Sequence, residues 1–324
     1  MKIIVTGCAG FIGANLTEYL LNKGYEVVGI DDFNSFYDPR LKEFNVTEFK
    51  DNSNFHLYRV DISDRPSLEK VIIEHADSTA IVHLAAWASV TYSVKNPHIY
   101  MISNIIGTNN LAEYAAKYKI NNFIFASTSS IYGDSNSTPF TEEMNTDYPS
   151  APYPASKKAG EVLLYTYSLN FDLHVTVFRF FNPLGARIRP DMALPRLIRS
   201  AEYGYDFPVY QNPQASSRDY TYIDHMMEAI EYTINNPFKY EIMNLGNSNP
   251  VTLTDMIAEV ERATGKKVKT VETPLPGQMQ ITYADITKAK KLVKYNPVTS
   301  LQKMVEKYYD WFKQQPEWYK KGEY

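Results

Sequence analysis

MKIIVTGCAGFIGANLTEYLLNKGYEVVGIDD, residues 1–32, reads as strand, glycine turn, helix, strand and acid in unbroken order. Lys2–Thr6 is rich in β-branched residues, and Gly7, Gly10 and Gly13 follow as G-x-x-G-x-x-G. Phe11, Ile12, Leu16, Leu20 and Leu21 then recur at helical spacing, before a second apolar run that ends at Asp31 and Asp32. Glycines permit a tight turn, a close approach of backbone to a pyrophosphate, and close packing of helix on strand. The helix N-terminus offers that anion unpaired N–H groups and a positive dipole end. The acid closing the second strand can accept from a ribose diol and repels a 2′-phosphate. The stretch predicts a dinucleotide site that prefers NAD to NADP.

The pattern repeats outward. Strand-like runs are expected at Ile3–Thr6, Glu26–Ile30, Phe55–Val60, Ala80–Leu84, Asn122–Ala126 and His174–Phe178. Helical spacing fills the intervals Phe11–Lys23, Pro66–His75, Asn104–Tyr118 and Ala155–Leu169. Such alternation predicts an α/β chain of Rossmann type, a doubly wound parallel sheet with ligands beyond the carboxyl ends of its strands. After about Arg179 the texture changes to prolines, loops and the shorter elements Leu253–Thr264, Ile286–Val293 and Leu301–Phe312. The expected division is an NAD-binding domain over 1–180, to which part of 213–245 returns, and a smaller α/β C-terminal substrate lobe over 181–324.

Composition narrows the function classes. A formal charge of −4 over 324 residues leaves no basic footprint for nucleic acid or an anionic membrane. No run of about 18 apolar residues occurs, and Met1 leads straight into a strand, so a cytoplasmic protein with no membrane segment is expected. The single cysteine, Cys8, sits in the glycine turn as a packing residue. His56, His75, His98, His174 and His225 share no ligand spacing, so no metal is expected. His83, at a strand end, reads as a packed, hydrogen-bonded core residue. Lys288, Lys290, Lys291 and Lys294 read as a solvated helix face, and Trp311, Phe312 and Trp318 as anchors of the last helix or of a partner contact.

Chemistry is carried by Tyr153 and Lys157, a Y-x-x-x-K pair whose spacing puts both side chains on one helix face. A phenol titrating near 10 is a poor base at neutral pH, and a nearby ammonium and a positive nicotinamide lower that value. The run Ser127-Thr128-Ser129-Ser130, at the expected end of the fifth strand, supplies hydroxyls where a substrate alcohol would meet the nicotinamide.

TGCAGFIG, Asp31, HLAA (83–86), STSSIYG (127–133), YPASK (153–157), RFFNPLG (179–185) and SRDYTYID (217–224) together resemble the extended short-chain dehydrogenase/reductase superfamily, in its nucleotide-sugar-modifying branch. The resemblance implies NAD held through Gly7, Gly10, Phe11, Ile12, Gly13, Asp31, Asp61, Ile62, Leu84, Ala85, Ala86, Asn104, Ser127, Tyr153 and Lys157. It implies Thr128 as the hydroxyl bridging sugar O4 and the tyrosine, Tyr153 as base, and Lys157 as its electrostatic partner. For the nucleotide sugar it implies Asn182, Arg218 and Asp285 at the diphosphate and ribose, Tyr210 near the uracil or ribose, and Ser129, Ser130 and Thr282 around the sugar. A homodimer paired through two long helices is implied as well.

The family's 4,6-dehydratases carry an Asp-Glu pair after the threonine, and its UDP-glucuronate decarboxylases a glutamate in that loop. Ser129-Ser130 offers neither acid, which makes a 4-epimerase the leading reading. DDFNSFYDPRLKEFN (31–45), YSVKNPHIY (92–100), RIRPDMALPRLI (187–198) and YADITKAKKLVKYNPVTSLQKMV (283–305) are similar to the 4-epimerases of UDP-glucuronate, and the resemblance places Arg189 at the sugar C6 carboxylate. The alternative for Arg189 is a lobe–lobe ion pair with a neighbouring acid. Thr91 stands where many of those enzymes have arginine, and Asn182 lies in the F-N-P-L-G form usual in UDP-galactose epimerases. UDP-glucose and UDP-N-acetylglucosamine 4-epimerases are therefore the alternative substrates, followed by a decarboxylase, dehydratase or reductase. A non-catalytic nucleotide sensor on this fold has no need of Thr128, Tyr153 and Lys157, all of which are present.

Overall fold

Seven parallel strands in the order Tyr240–Leu245, His174–Phe180, Asn122–Thr128, Ala80–His83, Lys2–Thr6, Glu26–Asp31 and Phe55–Arg59 form the central sheet. In chain order the first six are β1 (Lys2–Thr6), β2 (Glu26–Asp31), β3 (Phe55–Arg59), β4 (Ala80–His83), β5 (Asn122–Thr128) and β6 (His174–Phe180). The computed structural model describes residues 1–133, 137–210, 217–273 and 281–322, the side chain of Tyr210 excepted. The helices on the sheet's faces are α1 (Phe11–Asn22), α2 (Pro39–Val46), α3 (Arg65–Glu74), α4 (Val90–Lys95), α5 (Pro97–Tyr100), α6 (Thr108–Tyr118) and α7 (Pro152–Asn170). Every residue of β4 and β5 is buried, as expected of strands covered on both faces.

Six strands lie where the sequence patterning puts them, each within two residues. The seventh, Tyr240–Leu245, is not among those six and pairs in parallel with β6; residues 213–216 lie outside the described residues. Apolar side chains pack on both sides of the sheet. Val5, Val82 and Ile124 belong to one cluster and Ile4, Ile81, Phe123 and Phe125 to the other, which follows from the two-residue alternation of a strand. The chain after 181 adds three small sheets and the helices Ala193–Tyr203, Ile223–Asn235, Leu253–Thr264, Thr287–Val293, Leu301–Lys313 and Glu317–Lys321.

Two features fix the later segment over the sheet's carboxyl edge. The guanidinium of Arg187, buried, reaches Glu18 at 2.7 Å and Glu48 at 2.6 Å. Asn15, on α1, donates to the Ala186 carbonyl at 2.9 Å. The loop that follows, with Arg189, is thereby seated beside the glycine turn. Trp318 meets Phe44 of α2 edge-on at 5.6 Å, and Trp311 meets Tyr319 at 5.4 Å, so the C-terminal aromatics do anchor the last helix. Among the described residues no helix is long and apolar enough to cross a membrane.

Candidate active site

At the carboxyl ends of β1, β2, β4 and β5 the chain leaves one cleft of about 290 Å³. Its lining includes Gly7, Gly10, Phe11, Ile12, Gly13, Asp31, Asp61, Ile62, Leu84, Ala85, Ala86 and Ser127 at one end. Thr128, Ser129, Ser130, Tyr153, Lys157, Asn182 and Arg189 line the other.

The glycine turn has the geometry of an anion cradle. Gly7 has φ +73° and donates to the Ile30 carbonyl at 2.7 Å, locking the turn to β2. A Cβ on Gly13 would fall 1.9 Å from the Gly7 carbonyl oxygen, so helix and turn touch through backbone alone. Gly10 precedes α1 with no side-chain cap, and the first turn holds no acid. The first N–H groups of α1 are thus left to a ligand, which suits a pyrophosphate. Asp31, buried, accepts from the N–H of Ala9 at 3.1 Å and of Phe33 at 2.8 Å. Lys42 of α2 stands 3.3 Å from it and 3.6 Å from Asp32. The sequence reading missed Lys42. Asp38-Pro39, an N-cap followed by proline, was the available sign of the helix that carries it.

At the other end, Thr128 closes β5 and caps the turn Ser129–Tyr132, its Oγ1 accepting from the Ser130 N–H at 3.2 Å. That hydroxyl donates to Ser130 Oγ at 3.3 Å and lines the cleft together with Tyr153. Pro152 starts α7, so Tyr153 and Lys157 occupy its first two turns on one side. Burial raises the Tyr153 phenol above its ordinary value, while the Thr128 hydroxyl and the charge of Arg189 pull it down. Burial brings the Lys157 ammonium down to about 7, against the opposing pull of Glu161, and Nζ lies 4.7 Å from the Phe125 ring centre. An amine poised near neutrality takes up or gives up charge readily as its neighbour ionises.

Arg189 lines the same cleft and is also ion-paired. Nε and Nη2 reach Asp191 at 3.0 and 2.8 Å, Nη1 donates to the Ala88 carbonyl, and the guanidinium lies 5.2 Å from the Phe36 ring centre. Arg189 thus lines the cleft, and the acid it pairs with lies two residues away in its own loop rather than across the lobes.

Several expected contacts stand elsewhere. Asn104 does not line the cleft: it lies in the π-helical stretch Met101–Gly107, 1% exposed, and its amide is spent inside the protein. Oδ1 accepts from the Trp87 N–H at 2.9 Å, and Nδ2 donates to the Trp87 carbonyl at 3.0 Å and to Ser156 Oγ at 2.9 Å. Through Ser156, whose hydroxyl donates to the Tyr153 carbonyl at 2.7 Å, it is tied to the start of α7. Arg218 and Thr282 are neighbours in register on adjoining strands, outside the lining. Asp285, also outside it, uses Oδ1 to cap the Thr287 N–H at 2.8 Å. The Tyr210 side chain lies outside the described residues. His83 bonds Thr6 Oγ1 at 2.8 Å and Thr108 Oγ1 at 2.9 Å, and burial holds its imidazole well below the ordinary range, the behaviour of a core residue. Among the described residues no group of three or more His, Cys, Asp or Glu could hold a metal.

Residues 4–308 match the family model described as GDP-mannose 4,6 dehydratase. A UDP-glucuronate 4-epimerase of Thermodesulfobacterium geofontis is 38% identical over 313 residues, covering 96% of each chain. The crystal structure of a UDP-glucuronic acid 4-epimerase from Bacillus cereus, in complex with UDP-glucuronic acid and NAD, superposes with a TM-score of 0.89 at 35% identity, covering 97% of this chain and 99% of that one. The UDP-glucose 4-epimerase of Thermotoga maritima, solved with UDP-glucose, gives 0.87 at 28% identity, again over 97% and 99%.

Proposed function

From the premise that the chain belongs to the GDP-mannose 4,6 dehydratase family, we propose that it catalyses NAD-dependent inversion at C4 of a UDP-hexuronate, interconverting UDP-glucuronate and UDP-galacturonate through a transient 4-keto sugar. The observation that carries this reading is the guanidinium of Arg189 in one cleft with Thr128, Tyr153 and Lys157. A C6 carboxylate gives a guanidinium a two-pronged acceptor, which a CH2OH group does not.

The loop after Thr128 separates this chain from a dehydratase. It offers Ser129 and Ser130, and the acids of the described lining are Asp31, Asp32 and Asp61, at the ends of β2 and β3. Three strand spacings, about 14 Å, lie between β5 and β2. Among the described residues of the lining, no carboxylate stands on the Thr128 side of the cleft to draw off a C5 proton. Oxidation at C4 is then reversed rather than followed by elimination.

Held by the glycine turn and Asp31, NAD would supply a reversible hydride acceptor for sugar C4. Tyr153 takes the proton of the 4-hydroxyl, with Thr128 bridging the two, and Lys157 stabilises the phenolate. Asn182, Arg218 and Asp285 are assigned to the nucleotide diphosphate and ribose, Tyr210 to the uracil or ribose, and Thr282 to the sugar. The 4-keto hexuronate is a β-keto acid, prone to lose CO2. Arg189, with Ser129 and Ser130, holds the carboxylate so that the C5–C6 bond stays out of line with the carbonyl π system.

A cytoplasmic homodimer completes the proposal, with a cofactor domain over 1–180 and a substrate lobe beyond it. Val162, Tyr165, Leu169 and Phe171, on and just after α7, are each at least half exposed, an apolar stripe that favours pairing through this helix. The lone cysteine, fully buried, fits a reducing compartment. The test is proton NMR of UDP-glucuronate incubated with enzyme and NAD. UDP-galacturonate without bulk NADH is expected, and a UDP-pentose product or accumulating NADH overturns the assignment.

A further inference from the structure

Arg189 does not face the cleft as a bare cation. One whole edge of its guanidinium, Nε and Nη2, is taken by the carboxylate of Asp191. The two partners sit in different surroundings: the Arg189 side chain is 17% exposed and that of Asp191 58%. Asp191 also lies outside the lining of the cleft. An ion pair with one end in water is weak, and its carboxylate rehydrates when released. A guanidinium pressed into a wall needs an acceptor at all times. The loop does not depend on the pair, because the Met192 N–H closes a turn onto the Arg189 carbonyl at 3.2 Å with Pro190 inside it.

We propose that Asp191 is a specificity-determining counter-ion: it occupies the Nε/Nη2 edge of Arg189 while no carboxylate is in the sugar site, and yields that edge to the C6 carboxylate of the incoming sugar. The proposal rests on the hexuronate reading of the cleft. A sugar neutral at C6 meets an Arg189 that already has its acceptor, so it is tolerated. A hexuronate exchanges one carboxylate for another, and its advantage is the difference between two similar bonds. Asp191 thus narrows the gap between charged and neutral sugars, and Arg189 alone would widen it.

The test compares NAD-loaded wild type and Asp191→Asn by calorimetry and by kcat/KM, with UDP-glucuronate, UDP-glucose and UDP. The variant is expected to bind UDP-glucuronate roughly three- to tenfold more tightly and UDP-glucose more weakly, with UDP unchanged. The preference for the charged sugar then rises about tenfold or more. Equal or weaker binding of UDP-glucuronate by the variant overturns the proposal, since Asp191 would then orient Arg189 rather than compete for it. A loss of UDP binding overturns it too, because Asp191 would then be part of the loop's framework. Wild type that takes UDP-glucose but neither binds nor turns over UDP-glucuronate overturns the hexuronate reading and the counter-ion role together. Normal wild-type turnover with an unshifted preference in the variant overturns the counter-ion role alone.

Discussion

Glu161 and Arg179 form a two-pronged ion pair, Oε1 to Nε at 3.1 Å and Oε2 to Nη2 at 2.8 Å, with side chains only 1% and 2% exposed. Glu161 also accepts from the Ser127 hydroxyl at 2.6 Å, and Ser127 pairs in register with Arg179 across β5 and β6. Arg179 goes on to Tyr132 at 3.0 Å, and Tyr132 to Asn244 at 2.6 Å. This buried network lies directly behind the cleft, one helical turn from Lys157.

Removing one partner of such a pair leaves a charge buried without compensation. Glu161→Gln is expected to destabilise the fold by roughly 3–5 kcal/mol, and Glu161→Gln with Arg179→Met by distinctly less. Urea unfolding of the single and double variants measures both. Activity should separate from stability. Glu161 is the group that supports the charge of Lys157, so without it the acid limb of kcat/KM moves to higher pH. A pH profile identical to wild type in the refolded single variant would make Glu161 purely structural.

Lys157 itself should trade stability for turnover. Its folded value of about 7 lies below its ordinary 10.5, so between those pH values the unfolded chain binds a proton that the folded chain does not. Stability of the cofactor-free protein therefore rises with pH across that window, and the burial penalty is full below it. Lys157→Met is expected to abolish epimerisation and to gain roughly 1–3 kcal/mol at pH 6.5, with the gain fading by pH 10.5. Urea midpoints at the two pH values decide the matter, and an equal change at both would mean that packing, not charge, is responsible.

How much of this was legible in the sequence depends on whether a residue's role is local. The glycine turn, Asp31, Thr128, Tyr153 and Lys157 were readable because each sits at a fixed offset from a strand end or helix start. Their convergence then follows from parallel strands ending at one edge. Lys42 was not readable, because it meets Asp31 only through the irregular turn ahead of α2. The placement of Asn104, turned toward Trp87 and Ser156 from a π-helical stretch, was not readable either, because such a turn leaves no period in the sequence. The Arg189–Asp191 pair spans two residues, yet nothing in R-P-D says whether the carboxylate turns back to the guanidinium or out to water. That is settled by the backbone turn and by Ala88 and Phe36, brought from distant segments.

Gly13 offers a sharp contrast with another glycine. A Cβ at Gly13 collides with backbone, 1.9 Å from the Gly7 oxygen and 2.9 Å from Cys8 Cα, whereas one at Gly24 meets nothing within 4 Å. Gly13→Ala should pry α1 from the turn, costing roughly 1–3 kcal/mol and releasing NAD on gel filtration. Gly24→Ala should cost about 1 kcal/mol through its positive φ alone and keep the cofactor. Retention of NAD by Gly13→Ala would show that the pyrophosphate is held elsewhere.

Replacement of Arg189 tests the sugar end. Arg189→Ala leaves Asp191 in water, so no buried charge is orphaned and the fold should keep its stability within about 1 kcal/mol. A hexuronate loses its two-pronged partner but no longer has to displace Asp191, so the net loss is roughly 1.5–2 kcal/mol, or about 10- to 30-fold in kcat/KM. UDP-glucose, which never used that contact, should change by less than about tenfold. The fate of the intermediate adds a second readout. With the carboxylate unrestrained, the C5–C6 bond can swing into line with the C4 carbonyl, and a fraction of turnovers should end in CO2 and a 4-keto pentose. Mass spectrometry of the products measures that fraction. If UDP-glucuronate and UDP-glucose lose activity equally and no CO2 appears, Arg189 shapes the cleft without contacting the carboxylate.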